Sequence, residues 1–145
     1  MRVSDIMSSQ VVSITPDENA ALAARLLQRH NIGALPVCSA DGALRGIVTD
    51  RDIVTRCIAA ESDPEQTKIR EIMTRGIATV SPQDDVREAT RLMAAEQVRR
   101  LPVVQGDQVV GMLSLCDMAR HRAYDMEASK ALSEISTNIR RPGGR

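Results

Sequence analysis

Twice in this chain a hydroxyl is followed three residues later by a carboxylate, at the point where an apolar run ends. Thr49 and Asp52 stand in GIVTDRDI, and Ser114 and Asp117 in GMLSLCDM. Such a pair serves two kinds of chemistry. As a capping box, the hydroxyl accepts an amide of the first helical turn and the carboxylate bonds back to the cap's own N–H. As a binding pair, the carboxylate offers two acceptor oxygens to the two hydroxyls of a ribose, while the hydroxyl and helix-terminal amides donate to a phosphate. Arg99 and Arg100 stand in QVRRLPV, where by themselves they read as a solvated pair or a surface salt bridge. The matching stretch NIGALPV carries Gly33 and Ala34 and no charge. Arg51 is an auxiliary candidate at the surface.

These residues recur because the chain repeats itself. At an offset of 66, Ile6-Met7 meets Ile72-Met73, Pro16 meets Pro82, Arg25-Leu26 meets Arg91-Leu92, and Leu35-Pro36-Val37 meets Leu101-Pro102-Val103. After a one-residue gap the offset becomes 65, and Gly46 meets Gly111 while Asp52 meets Asp117. Similar residues fill the register between, including Ser8/Thr74, Thr15/Ser81 and Thr49/Ser114. A register this long identifies a tandem repeat.

Each repeat reads as strand, helix, strand, strand, helix. The runs Val11–Ile14 and Ile77–Val80 predict short strands, and Thr15-Pro16 and Ser81-Pro82 predict helix starts with a hydroxyl cap and proline at the first helical position. Ala20, Ala23, Ala24 and Leu27, like Val86, Ala89, Thr90 and Met93, have the spacing of one buried helix face. Strands are predicted over 34–38 and 44–49, then 100–104 and 108–114, with helices beginning at Asp50 and Leu115. Residues 1–60 and 69–122 are thus two repeats, with 61–68 as linker. Tyr124, Ala128, Leu132, Ile135 and Ile139 predict a helical extension over 123–139, and residues 140–145 a flexible tail.

Composition narrows the function. The 145 residues carry 19 basic and 19 acidic side chains, a net charge of zero, which argues against a general grip on nucleic acid or an anionic membrane. No run is long and apolar enough to span a bilayer, and the N-terminus lacks the apolar core of a secretion signal. Cys38, Cys57 and Cys116 have no metal-ligand spacing and read as thiols in a reducing cytoplasm. His30 and His121 lie near helix ends without an evident catalytic partner, and Cys116 has a carboxylate beside it rather than a base that would activate it. No catalytic or metal-binding constellation is read, and the chain is expected not to be an enzyme. With Tyr124 the one aromatic residue, a planar ligand has aliphatic walls to lie against.

The D-I-M and E-I-M openings, the Thr-Pro and Ser-Pro steps, Leu-Pro-Val and Gly-h-h-Thr/Ser-x-x-Asp (h apolar), in this order and twice over, resemble a tandem pair of cystathionine-β-synthase (CBS) domains, a Bateman module of the stand-alone bacterial type. The resemblance covers about residues 1–122. It implies an α/β (α+β) fold of two repeats packed about a pseudo-twofold axis, with two clefts that hold adenine nucleotides, and commonly a homodimer. It turns the reading of Thr49, Asp52, Ser114 and Asp117 towards ribose and phosphate, with capping as the empty state. It also implies a phosphate role for Arg99 and Arg100, which stand where nucleotide-binding members often carry basic side chains whose planar forks suit phosphate oxygens. Ile14, Leu35 and Pro36 would then wall one cleft, and Val80, Leu101 and Pro102 the other; their ordinary role is that of core strand residues. AMP, ADP, ATP or a related adenosyl compound is the implied regulatory ligand, no cofactor being required. The regulated protein stays unidentified. The alternative is a protein-interaction module with vestigial clefts.

Overall fold

The computed structural model describes residues 1–121 and 125–139, so Tyr124 and the tail at 140–145 lie outside the described residues. The chain forms two compact units that cut across the repeats. One, the Asp52 unit, comprises Val11–Ile77 with Asp107–Val109; the other, the Asp117 unit, comprises Met1–Gln10, Ala78–Gly106 and the described residues from Val110 onwards. Each unit therefore takes its opening segment from the opposite repeat.

The elements are α1 (Val3–Ile6), α2 (Ala20–His30), β1 (Ala34–Cys38), β2 (Leu44–Thr49), α3 (Asp50–Ile53) continued by a π-helical turn (Val54–Ile58), α4 (Ile69–Ile72), α5 (Val86–Glu96), β3 (Arg100–Gln105), β4 (Gln108–Ser114), α6 (Leu115–Ala119) and α7 (Asp125–Ile139). The hairpins β1-β2 and β3-β4 are separate two-stranded sheets. In the first, Ala34 pairs with Thr49 and Leu35 with Val48, so β1 begins beside the residue that ends β2.

The strands expected over 11–14 and 77–80 shrink to single parallel bridges, Ile14 with Val37 and Val80 with Val103. Prolines explain this. The Ile14 amide donates to Pro36 O at 3.1 Å and the Cys38 amide to Ile14 O at 2.9 Å. The next parallel bond in one direction needs an N–H on Pro36, and in the other an N–H on Pro16. Pro102 and Pro82 stop the Val80 bridge in the same way.

The helix starts also move. Thr15-Pro16 and Ser81-Pro82 open turns, closed when the Thr15 amide donates to Glu18 Oε1 (2.9 Å) and the Ser81 amide to Asp84 Oδ2 (2.8 Å). The caps are Asn19, which accepts from the Leu22 amide, and Asp85, which accepts from the Arg87 amide. Carbonyls of these turns serve the opening segments instead of a helix: Pro16 O and Glu18 O accept from Arg70 and Ile69, and Pro82 O and Asp84 O accept from Ser4 and Val3. The segment expected as a linker satisfies orphan amides at the start of α2, with Thr67 O accepting from Ala20 and Pro64 O from Ala21.

Each unit has its own core. Leu35, Val37, Val48, Ile69 and Ile72 lie in that of the Asp52 unit; Val3, Met93, Leu101, Leu113 and Met118 lie in that of the Asp117 unit. The predicted helix faces hold except at two places. Ala24 is exposed although its counterpart Thr90 is buried, because α7 packs on α5 and brings Ala128, Ala131 and Ile135 into that core. Leu132, expected on the inner face of α7, is 43% exposed, and Ala131 takes the inner position.

Candidate functional site

Both strand-to-helix turns form complete capping boxes. Thr49 Oγ1 accepts from the Asp52 amide at 3.0 Å, and the Thr49 amide donates to Asp52 Oδ2 at 3.0 Å. At the second turn the Asp117 amide donates to Ser114 Oγ at 3.1 Å, and the Ser114 amide to Asp117 Oδ2 at 2.9 Å. The N-cap geometry follows from the sequence: an extended hydroxyl residue ends an apolar strand, with a carboxylate at the third helical position.

Beyond the box the two turns differ. Asp52 is buried, 6% exposed. Thr74 Oγ1 reaches both of its carboxylate oxygens at 3.4 Å, and Arg56 Nη1 lies 3.5 Å from Oδ1. Arg56 is itself held by the carbonyls of Ile72 and Met73 and by the Thr74 hydroxyl. Asp117 is half-buried, and its partner Arg120, 3.1 Å away, is largely exposed. Among the described residues Ser8, the counterpart of Thr74, makes no side-chain bond to Asp117; its backbone pairs with Met112 in both directions at 2.9 Å.

The first helical amides differ as well. In the Asp52 unit Asp50 donates to Gly33 O, Arg51 to Asp50 Oδ1 and Asp52 to Thr49 Oγ1. All three are taken. In the Asp117 unit Leu115 donates to Arg99 O at 2.9 Å and Asp117 to Ser114 Oγ; Leu115 stands where Asp50 does, so no carboxylate precedes Cys116 to bind its amide. The same Leu115–Arg99 bond sets the Arg99-Arg100 segment against the Ser114 turn. Arg99 is exposed and Arg100 half-buried.

Of the six apolar candidates, Leu35 and Leu101 are 0% and 1% exposed and fill the cores, as do Ile14 and Val80. Pro36 and Pro102 are buried without belonging to either core cluster. Arg51 is exposed. The residues that sequence reasoning passed over are Thr74, Arg56 and Arg120. The signals were present: Thr74 recurs as Ser8 in the repeat register, while Arg56 and Arg120 sit four and three residues after the aspartates, within helical reach. Gly46 and Gly111 also acquire a reason. A Cβ on Gly46 would stand 2.5 Å from Thr74 O, and one on Gly111 2.6 Å from Met7 Sδ and 2.9 Å from Ser8 O. The repeated glycine lets the opening segment cross the strand that carries the hydroxyl–carboxylate pair.

The family model for the CBS domain matches residues 3–58 and 69–124. The chain belongs to the CBS domain family. It carries a tandem CBS pair, a regulatory module. The CBS domain-containing protein YhcV of Bacillus subtilis is 38% identical over 134 residues, 92% of this chain and 94% of that one. The crystal structure of Hypoxic Response Protein I with two coordinated zinc ions matches with a TM-score of 0.78 at 36% identity, covering 83% of this chain and 98% of that chain. A CBS domain pair in complex with 5′-methylthioadenosine and S-adenosyl-L-methionine matches with a TM-score of 0.78 at 29% identity, covering 86% and 98%. Among the described residues of this CBS pair, no group of three His, Cys, Asp or Glu could hold a metal ion, and no helix is long and apolar enough to cross a membrane.

Proposed function

We propose that this CBS pair is a regulatory sensor of adenine nucleotides or a related adenosyl ligand, and that the Asp117 turn is its tighter site for phosphate. The observation that carries this reading is the backbone Leu115–Arg99 hydrogen bond, which holds the Arg99-Arg100 segment against the turn that carries Asp117. Support comes from a similar CBS pair that holds two adenosyl compounds. Asp117 would accept the ribose hydroxyls, with Arg120 swinging aside at little cost because it is exposed. Ser114 and the Arg99 and Arg100 guanidiniums would meet the phosphates, and Val80 and Pro102 would border the base. The Asp52 turn keeps its ribose carboxylate but has no arginine at Gly33-Ala34. Ligand entry there must displace Thr74 and Arg56, so binding is weaker. Regulation then requires the ligand to prefer one of two conformations.

Calorimetric titration of AMP, ADP and ATP tests this. Saturable binding is expected, lost in D117A, with the R99A/R100A variant weakening ATP more than adenosine. An equal loss for ATP and adenosine would remove the phosphate role. A second reading, a homodimeric interaction module in the cytoplasm, draws on Val54 and Ile58, one turn apart and 57% and 53% exposed. Absence of heat with all three nucleotides would favour it.

A further inference from the structure

A polar cavity lies wholly within the Asp52 unit and takes in neither member of its capping box. It measures about 460 Å³ and is lined by Thr15, Pro16, Asp17, Ser39, Ala40, Arg45, Arg70, Met73 and Arg75. Three cations converge on it from three places: Arg45 from β2, Arg70 from α4, and Arg75 from the segment after α4. Among the lining side chains one carboxylate, Asp17, faces them, and Asp41, bonded to Ser39 beside the cavity, feels the charge of Arg45. Asp17 is paired with Arg70, whose hydrogen bond and charge hold the Asp17 carboxyl below its ordinary range. Arg45 and Arg75 have no ion-pair partner among the described residues. Arg75 is instead steadied by donating to Arg70 O at 3.4 Å. The Thr15 hydroxyl is occupied by Glu18 and that of Ser39 by Asp41, which leaves the guanidiniums to meet any ligand.

The repeat supplies a control. Arg45, Arg70, Arg75 and Asp17 correspond in the Asp117 unit to Val110, Ser4, Ser9 and Gln83, all uncharged. The fold therefore does not require charge at these positions, and the cavity's basic lining belongs to one unit alone. Three guanidiniums around a volume several times that of a single phosphate suit an anion with phosphates in series, gripped by parallel N–H···O pairs.

We infer that this cavity binds an oligophosphate group, either free pyrophosphate or the phosphate chain of a larger molecule, at a site separate from the Asp52 turn. Asp17 occupies Arg70 until the anion displaces it.

The test is titration of the full chain with sodium pyrophosphate at constant ionic strength, followed by calorimetry and by thermal unfolding with an extrinsic dye. A saturable site is expected that R99A/R100A leaves intact and that R45Q/R75Q weakens about tenfold or more, as two charge-assisted contacts are lost. D17N is expected to bind more tightly, because Arg70 is released. Arg45, Arg70 and Arg75 are exposed, so the unliganded variants should unfold at the wild-type temperature; the single variants R45Q and R75Q serve if the double one does not. Equal binding by wild type and variants, or no saturable binding, overturns the site. Displacement of pyrophosphate by adenosine overturns its separateness. If a triphosphate nucleotide binds through the same arginines more tightly than pyrophosphate, the source is the chain of a larger molecule; the reverse order identifies free pyrophosphate.

Discussion

The two strand-to-helix turns share a motif and a capping box, yet their carboxylates, with side chains 9% and 14% exposed, are held by different neighbours. Asp52 has Thr74 and Arg56 upon it, and every amide of its first helical turn is bonded. Asp117 has an exposed arginine upon it and the Arg99 segment beside it. What distinguishes them is the surroundings of the motif. A carboxylate saturated by its own unit acts first as a structural cap, and one that is half satisfied retains acceptor capacity for a ligand. The helices show the same divergence: α5 is covered by α7, whereas Ala24 on α2 is exposed among the described residues.

The helix comparison predicts the largest effect. Thr90→Glu would place a carboxylate under α7, where Thr90 is 5% exposed and its hydroxyl donates back to Val86 O; a loss of about 3 kcal/mol or more is expected in urea unfolding. Ala24→Glu, at the matching exposed position, should change stability by no more than about 0.5 kcal/mol. Similar losses at both positions would mean that α7 does not differentiate the units.

The glycine pair comes next. Gly46→Ala meets a backbone carbonyl, Thr74 O, which is itself bonded to the Ile47 amide at 3.0 Å, and should cost about 2–3 kcal/mol. Gly111→Ala meets first the flexible end of Met7 and then Ser8 O, and should cost about 1–2 kcal/mol by the same assay. The reverse order would show the Ser8 crossing to be the more rigid.

The smallest effect separates the carboxylates themselves. Asp52→Ala removes a box together with the buried carboxylate that Thr74 and Arg56 both meet, an expected loss of about 2 kcal/mol. Asp117→Ala removes a box and an exposed pair, about 1 kcal/mol. D117A should thus stay folded while losing ligand, which makes it the more informative variant for binding. Equal losses would place both aspartates in the same structural role.

Much of this was legible in the chain. The repeat register located both hydroxyl–carboxylate pairs, the hairpins and the helices that follow them, because these depend on local pattern: alternating apolar residues, turn residues and caps within a few positions of one another. The Thr-Pro steps misled for a related reason. Proline at a first helical position and proline opening a turn are equally allowed locally, and the choice fell to Asn19 and Asp85 once the turn carbonyls were claimed by the opening segments.

Sequence alone determined the tandem CBS architecture, both capping boxes, and the asymmetry between Arg99-Arg100 and Gly33-Ala34. Leu-Pro-Val even encodes the limit on the third strand, since a missing N–H cannot be supplied by any neighbour. Only the tertiary structure decided that residues 1–10 and 69–77 would each serve the opposite repeat's unit, that Thr74 would close over Asp52, and that three arginines far apart in sequence would share one cavity. Those outcomes depend on which distant carbonyl, amide or charge is at hand when a segment crosses a strand, and spacing along one chain carries no measure of that distance.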